Sequence, residues 1–433
     1  MKFKIHRGTK EIGGSCVEIS TINSNILIDF GMPLVDSEGG QFSFKKYEKM
    51  NSTELVSEGI LPNIDGLYDN SKSLVDGILI SHAHLDHYGL GDYVNESIPF
   101  YLSEATHKII ELGNIFTPQN IQLENFKFFT RQDTFTIGDF SITPYWMDHS
   151  AFDSYSFLIE ADGKRVFYSG DFRSHGRKVK YFKWFLNNAP KDIDYLIMEG
   201  TTLGRDYIKS KTEEMIENEL FEVFKSTDNL NAIYTSGQNI DRLVSIYKAC
   251  LKANRILVVD VYIAKVLKEL SKFAKIPFPS PSFNIKVIFP YYTSNRLTKQ
   301  GNESILFEFS KYKVTKEEIS ENISKYVMVV RPSMIKDLDR IKGLNCGNII
   351  YSMWNGYLKK DNIKELIDYF TTKDFKFHNI HTSGHADKSS LIDLTNALKP
   401  RYIIPIHTFN SNDYKDAFLY DILPISDEEE VNL

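Results

Sequence analysis

Three imidazoles and a carboxylate fall within six residues in the run Ser81-His82-Ala83-His84-Leu85-Asp86-His87. It directly follows the apolar stretch Val75-Asp76-Gly77-Ile78-Leu79-Ile80, whose pattern predicts a strand. Imidazole nitrogens and carboxylate oxygens suit zinc, manganese or iron, and the i, i+2 spacing of His82 and His84 lets an extended loop aim both rings at one ion. Asp86 and His87 fall at the start of the next helical pattern, where the chain turns and a second ion could be held. With only 11 histidines in 433 residues, a chance cluster of this density is a poor explanation.

Further donors repeat one structural position, the C-terminal end of a predicted strand. Ser141–Trp146 leads into Met147-Asp148-His149, Lys164–Tyr168 leads into Ser169-Gly170-Asp171, and Tyr402–Ile406 leads into His407. Residues at one end of many strands converge on a single rim of a sheet, so these side chains can meet across hundreds of residues of chain. Asp148 and Asp153 flank His149 as acceptors that could orient its ring, or as loop-capping carboxylates. His6, His107 and His378 read as structural, and His175 and His381 as loop or strand-end residues.

The motifs HAHLDH, MDHSAFDS, SGDF and PIH, in that order, resemble the metal motifs of the metallo-β-lactamase fold across nearly the whole chain. The resemblance implies an α/β architecture, an αββα sandwich. It implies two divalent metal ions, zinc or alternatively manganese, with His82, His84 and His149 on the first, Asp86, His87 and His407 on the second, and Asp171 bridging. The opening Gly8–Ser15 and Ile26–Gly31 segments are similar to that fold's first hairpins.

A chain of 433 residues exceeds one such domain. From residue 204 to 360, helix-like Thr212–Lys225 and Ile240–Leu251 alternate with strand-like Ala232–Tyr234 and Ile256–Val259. This predicts a small α/β domain inserted between residues 1–203 and a return segment, 361–433. An insertion there resembles the β-CASP subfamily of nucleic-acid-processing enzymes, including the ribonuclease J-like nucleases. Glu199 stands at motif A, His381-Thr382-Ser383-Gly384-His385-Ala386 resembles motif B, and His407 fits motif C. Motif A is Glu where ribonuclease J-like enzymes usually carry Asp, motif C continues Thr408-Phe409, and no length remains for their additional C-terminal domain. The resemblance implies hydrolysis of RNA phosphodiesters, or of single-stranded DNA, with Asp86, Glu199 and His385 as catalytic residues and His385 as the proton donor. Ser383 and Gly384 are candidate phosphate binders, and Arg242 and Arg331 weaker candidates for substrate contact.

Charge gives an independent argument. The chain carries 51 Lys and Arg against 57 Asp and Glu, a net of −6, which disfavours a general polyanion binder. Residues 204–360, however, hold 25 basic and 17 acidic residues, and Arg242–Lys299 alone hold 11 against 2, interleaved with Phe273, Phe278, Phe283, Phe289, Tyr291 and Tyr292. Basic residues among aromatics suit phosphate contact and base stacking. Three scattered cysteines fit a reducing cytoplasm, and no apolar run is long enough for a membrane span. The expected partner is RNA or single-stranded nucleic acid, with self-association left open. Two other functions remain, a metallohydrolase of a small phosphoester, thioester or lactone and a catalytically silent nucleic-acid-binding homologue. Seven retained ligand types argue against silence, and the basic insert against a small substrate.

Overall fold

The computed structural model describes residues 1–36, 40–69, 73–205 and 209–433, which divide into two compact units. The first comprises Met1–Ile110, Gln119–Lys209 and Gly384–Leu433, and the second Glu111–Pro118 and Ser210–Ser383.

Alternating apolar strands build the first unit from two facing sheets. One runs Glu430–Asn432, Lys2–Arg7, Cys16–Ser20, Asn25–Ile28, Gly77–Leu79, Phe100–Leu102, Phe126–Phe128. The other runs Asp421–Ile422, Tyr402–Ile406, Tyr195–Glu199, Lys164–Tyr168, Ser154–Ala161, Phe140–Met147, Phe135–Ile137. Between them lies one core, with Ile5, Val17 and Ile28 from the first sheet meeting Ile142, Phe157, Ile197 and Ile404 from the second. Each such side chain, fully buried, contributes roughly 1.5–3 kcal/mol. Helices Val179–Asn188 and Lys388–Leu398 cover the outer face of the second sheet through Phe182, Phe185, Leu391 and Leu394. Helix Glu104–Phe116 buries Ala105 and Ile109 and crosses over between the parallel strands Phe100–Leu102 and Phe126–Phe128. This is the αββα sandwich.

Strand direction is what positions the site. Lys164–Tyr168, Tyr195–Glu199 and Tyr402–Ile406 run parallel, and Phe140–Met147 shares their direction through two successive antiparallel pairings. Their C-terminal ends therefore open on one rim, as do those of the parallel strands Asn25–Ile28 and Gly77–Leu79 in the other sheet.

The second unit is an all-parallel sheet in the order Ile285–Ile288, Ile256–Asp260, Tyr326–Val329, Asn231–Tyr234, Asn348–Tyr351, Lys376–Asn379. Thr212, Asn239 and Asp260 cap helices Glu213–Lys225, Ile240–Lys252 and Val261–Leu270, each accepting a first-turn amide. The expected boundary at residue 360 falls short by one helix and one strand. Leu366 and Phe370 of helix Asp361–Thr371 belong to this unit's core, and Lys376–Asn379 extends its sheet. Hydrophobic periodicity marks these elements but not which of two sheets they join.

Candidate metal centre

The His82–His87 run leaves strand Gly77–Leu79 as an extended loop and enters the short helix Leu85–Tyr88. The segment Asp29–Met32 props that helix: Phe30 and Met32 donate to the carbonyls of His87 and Leu85. Gly31 runs so close that a Cβ there would lie 1.7 Å from the Asp86 carbonyl oxygen, so only glycine fits. His407 is held from the other end of the sequence. Its amide donates to the Gly8 carbonyl (2.7 Å), and its Nδ1 lies 3.1 Å from Ser15 Oγ.

Two groups of donors result, His82, His84, His149 and Asp171, and Asp86, His87, Asp171 and His407, each with its ligand atoms within 4.8 Å of one another. In the first, His84 Nδ1 is 3.1 Å from His82 Nε2 and 3.2 Å from His149 Nε2, and Asp171 Oδ2 is 3.8 and 3.9 Å from His82 and His149 Nε2. In the second, Asp171 Oδ2 is 3.2 Å from His87 Nε2 and 3.7 Å from His407 Nε2, each of which is 3.8 Å from Asp86 Oδ2. Ligand atoms about 2.1 Å from a tetrahedral ion sit about 3.4 Å apart, so both groups are spaced to surround one. Asp171 Oδ2 is the vertex they share.

Electrostatics agree with a cation site. Burial pushes His82 and His149 well below the ordinary histidine range and His84 to about 4, with neighbouring imidazoles adding to it, so these rings are neutral donors at neutral pH. Burial opposes ionisation of Asp171, but His407, His87 and His385 hold its carboxyl well below the usual carboxylate range. Burial likewise opposes charge on His87, yet Asp171, Asp29 and Asp86 outweigh it and draw a proton onto that ring. His87 Nε2, His407 Nε2 and Asp171 Oδ2 are buried without a hydrogen-bond partner among the described residues, which is costly unless something else satisfies them. A divalent cation that took the place of the His87 proton would satisfy all three atoms.

Beside the donors, Glu199 ends strand Tyr195–Glu199 and accepts from the amides of Phe172 (3.0 Å) and Thr201 (3.3 Å). His385 Nδ1 lies 3.2 Å from Glu199 Oε2 and 3.6 Å from Asp171 Oδ2. Burial works against charge on this ring, but Glu199 and Asp171 lift it to about 9.

Residues 68–232 match the family described as the beta-lactamase superfamily domain, and residues 374–410 match the Zn-dependent metallo-hydrolase RNA specificity domain. Ribonuclease J of Helicobacter pylori is 23% identical over 419 residues, covering 92% of this chain and 55% of its own length. Ribonuclease J 2 of Streptococcus pyogenes is 21% identical over 425 residues, covering 94% and 69%. The chain is similar to the β-CASP metallo-β-lactamases. It spans about half the length of the first of these relatives. A crystal structure of a protein of unknown function from Enterococcus faecalis V583 has the same fold, with a TM-score of 0.79 and 20% identity over 100% of this chain and 99% of the other.

The seven predicted donors come together, and Glu199 and His385 stand beside them. Ser383 belongs to the second unit. Gly384 packs where a Cβ would come within 2.5 Å of Ser150 Oγ, so its smallness serves packing. Arg242 requires correction. It is fully buried, with Nε and Nη2 bonded to the two oxygens of Glu213 at 3.1 and 3.0 Å, and so it holds two helices together instead of reaching solvent. Arg331 bonds Asp260 and lies over the Tyr262 ring, leaving Nη2 buried without a hydrogen-bond partner among the described residues. Asp148 receives Arg173 Nε (3.2 Å), and Asp153 receives the Tyr155 hydroxyl (3.2 Å). His6 joins Glu18 and Glu428, His107 stacks on Phe126, and His378 bonds Asn348.

Sequence reading missed Asp29. Fully buried at φ 58°, it accepts from His87 Nδ1 (2.7 Å), Tyr168 OH (2.7 Å), and Ser81 N and Oγ (both 2.8 Å). It fixes the His87 ring with Nε2 turned toward Asp171. The signal was available, since Asp29 directly follows strand Asn25–Ile28 as the other donors follow theirs. Asp29→Asn keeps a residue that tolerates left-handed backbone but removes the charge. It should lower divalent-metal affinity about 10–100-fold in a competition titration against a chromogenic chelator. Unchanged affinity would remove Asp29 from the centre.

Proposed function

We propose that this chain is a metal-dependent hydrolase of RNA phosphodiester bonds. The observation that carries the proposal is the pair of donor groups sharing Asp171 Oδ2, with the Glu199–His385 pair 3.6 Å from that atom. In this reading His82, His84 and His149 would hold one ion and Asp86, His87 and His407 the other, with Asp171 available to both. Zinc and manganese each suit the mixed imidazole and carboxylate set. Bound there, two divalent ions would supply Lewis acidity toward phosphoryl oxygens and an activated water at neutral pH.

The protein's own groups do the rest. Asp86 and Asp171 hold negative charge against the ions. Glu199, anchored by two backbone amides, keeps His385 Nδ1 engaged and its ring charged, so Nε2 is the atom that donates a proton to the departing alkoxide. The RNA assignment is supported by the ribonuclease J relatives, by the RNA specificity domain match, and by the charge of the second unit, where Ser210–Ser383 hold 26 basic and 20 acidic residues.

Purified protein with zinc or manganese should cleave 5′-labelled and 3′-labelled RNA faster than single-stranded DNA of the same sequence. Cleavage of neither, alongside turnover of a thioester or lactone, would overturn the reading in favour of a small-molecule hydrolase.

Within the second unit most cations of the Arg242–Lys299 stretch already have partners: Lys252 pairs with Glu217, Lys265 and Lys268 with Glu308, Lys272 with Glu269, and Arg255 and Arg296 bind carbonyls. Its most exposed aromatics are Tyr291 and Tyr292 at the start of helix Tyr291–Lys299, 66% and 65% exposed, with Lys299 in the last turn. Replacing both tyrosines by alanine should weaken single-stranded RNA binding by about 1–3 kcal/mol for each base stacked, read by fluorescence anisotropy. Affinity equal to the parent's would mean that RNA is held elsewhere.

A further inference from the structure

The second unit holds a cavity of about 760 Å³ that neither the metal centre nor the sheet explains. It lies within the roughly 300–1,000 Å³ range of ligand pockets. One wall is helix Ile240–Lys252. Its core face buries Leu243, Ile246 and Cys250, and a second apolar stripe, half-buried Val244, buried Tyr247 and exposed Leu251 at positions i, i+3 and i+7, lines the cavity. The facing wall is Ser271–Phe278, with Phe283 behind it. Leu251 is 51% exposed and Phe273 39%, so hydrocarbon lies open to water on both sides.

The charge around this cavity is one-sided. Lys248, Lys272 and Lys275 line it, and among the described residues no acidic side chain does. Lys272 pairs with Glu269, whereas Lys248 and Lys275 have no ion-pair partner among the described residues. The aromatic rings meet one another and do not present a flat platform. Phe283 stands edge-on to Tyr247 (5.9 Å, 79°) and tilted against Phe278 (5.9 Å, 53°), and Tyr247 is hydrogen-bonded to the Asn284 backbone. Nucleobases call for exposed planar faces and for groups that read their edges, whereas of the four aromatic side chains that line this cavity Phe273 alone is exposed, beside aliphatic Val244, Leu251, Ala274 and Ile276 and two unpaired cations.

We propose that the cavity docks an acidic, amphipathic peptide segment of a partner protein. Large apolar side chains at helical spacing enter between Leu251 and Phe273, and flanking carboxylates pair with Lys248 and Lys275. The arrangement is independent of the metal centre, and its test uses no turnover.

The probe is a fluorescein-labelled twelve-residue peptide of glutamates and aspartates with leucine or phenylalanine at positions i, i+3, i+4 and i+7. A permuted peptide of the same composition with dispersed apolar residues is the control. The full chain should bind the probe at least tenfold tighter than the control in an anisotropy titration. Leu251→Asp and the double variant Lys248→Glu/Lys275→Glu should each lose at least tenfold; both alter exposed side chains, and unchanged thermal melting verifies the fold. Equal affinity for probe and control, or variants that bind like the parent, overturns the proposal. So does tenfold weaker binding of single-stranded oligouridylate by Leu251→Asp with the peptide unaffected, which gives the cavity to nucleic acid.

Discussion

Asp171→Asn should lower RNA cleavage by at least about 10³-fold while the protein stays folded. Asp171 Oδ2 is the atom common to both donor groups, 3.2 Å from His87 Nε2 and 3.7 Å from His407 Nε2. Asparagine preserves the volume but removes the negative charge that two cations would share. Loss of several kcal/mol of transition-state stabilisation corresponds to that factor at 1.36 kcal/mol per tenfold. Metal per chain, read by elemental mass spectrometry, should fall in parallel. Asp171 is 2% exposed, on the loop beyond strand Lys164–Tyr168, so thermal unfolding checks that the sandwich survives. Parental cleavage with full metal content would refute the shared vertex.

His385→Ala separates proton delivery from metal binding. It should keep the metal content yet lose about 10²–10⁴-fold on RNA, whose alkoxide leaving group needs a proton. A nitrophenyl phosphodiester, whose leaving group does not, should lose less than about tenfold. The pH profile adds a second reading. Glu199 and Asp171 lift His385 to about 9 against the effect of burial, so the acid form prevails at neutral pH and is lost as pH rises. Bound cations oppose that lift, so parental activity should fall along a limb at or below about pH 9, and the variant should lack this limb. Equal losses on both substrates would mean that His385 positions phosphate and does not donate a proton.

How far the sequence reaches is visible residue by residue. Lys164–Tyr168 and Tyr402–Ile406 are strands with the bounds their apolar patterns predict, and their following donors meet because parallel strands put like ends on one rim. The His82–His87 run needs no tertiary information, since its spacing is local. Arg242 was misread because its partner Glu213 lies 29 residues away on another helix, and nothing in a lysine- and arginine-rich stretch marks which cation is buried. Lys252 and Lys268 likewise pair with Glu217 and Glu308, 35 and 40 residues away in sequence. Asp29 follows the same strand-end rule as the donors, but with no histidine beside it the reading passed over it. The domain boundary failed for a related reason, since helix Asp361–Thr371 is amphipathic whichever sheet it covers.

The order in which the donors occur along the chain has a consequence for synthesis. His82, His84, His149 and Asp171 are all present once residue 171 has been made, so one donor group is complete in a nascent chain. The other waits for His407, and between Glu199 and His385 lies the whole of Ser210–Ser383, the main part of the second unit. His407 is then anchored by the Gly8–Ser15 loop, directly after the strand Lys2–Arg7 that pairs with the late strand Glu430–Asn432. One donor group is thus encoded entirely within the first 171 residues, whereas the other joins residues from the two ends of the sequence, so a C-terminal truncation that removes His407 would leave the first group's residues intact and break the second.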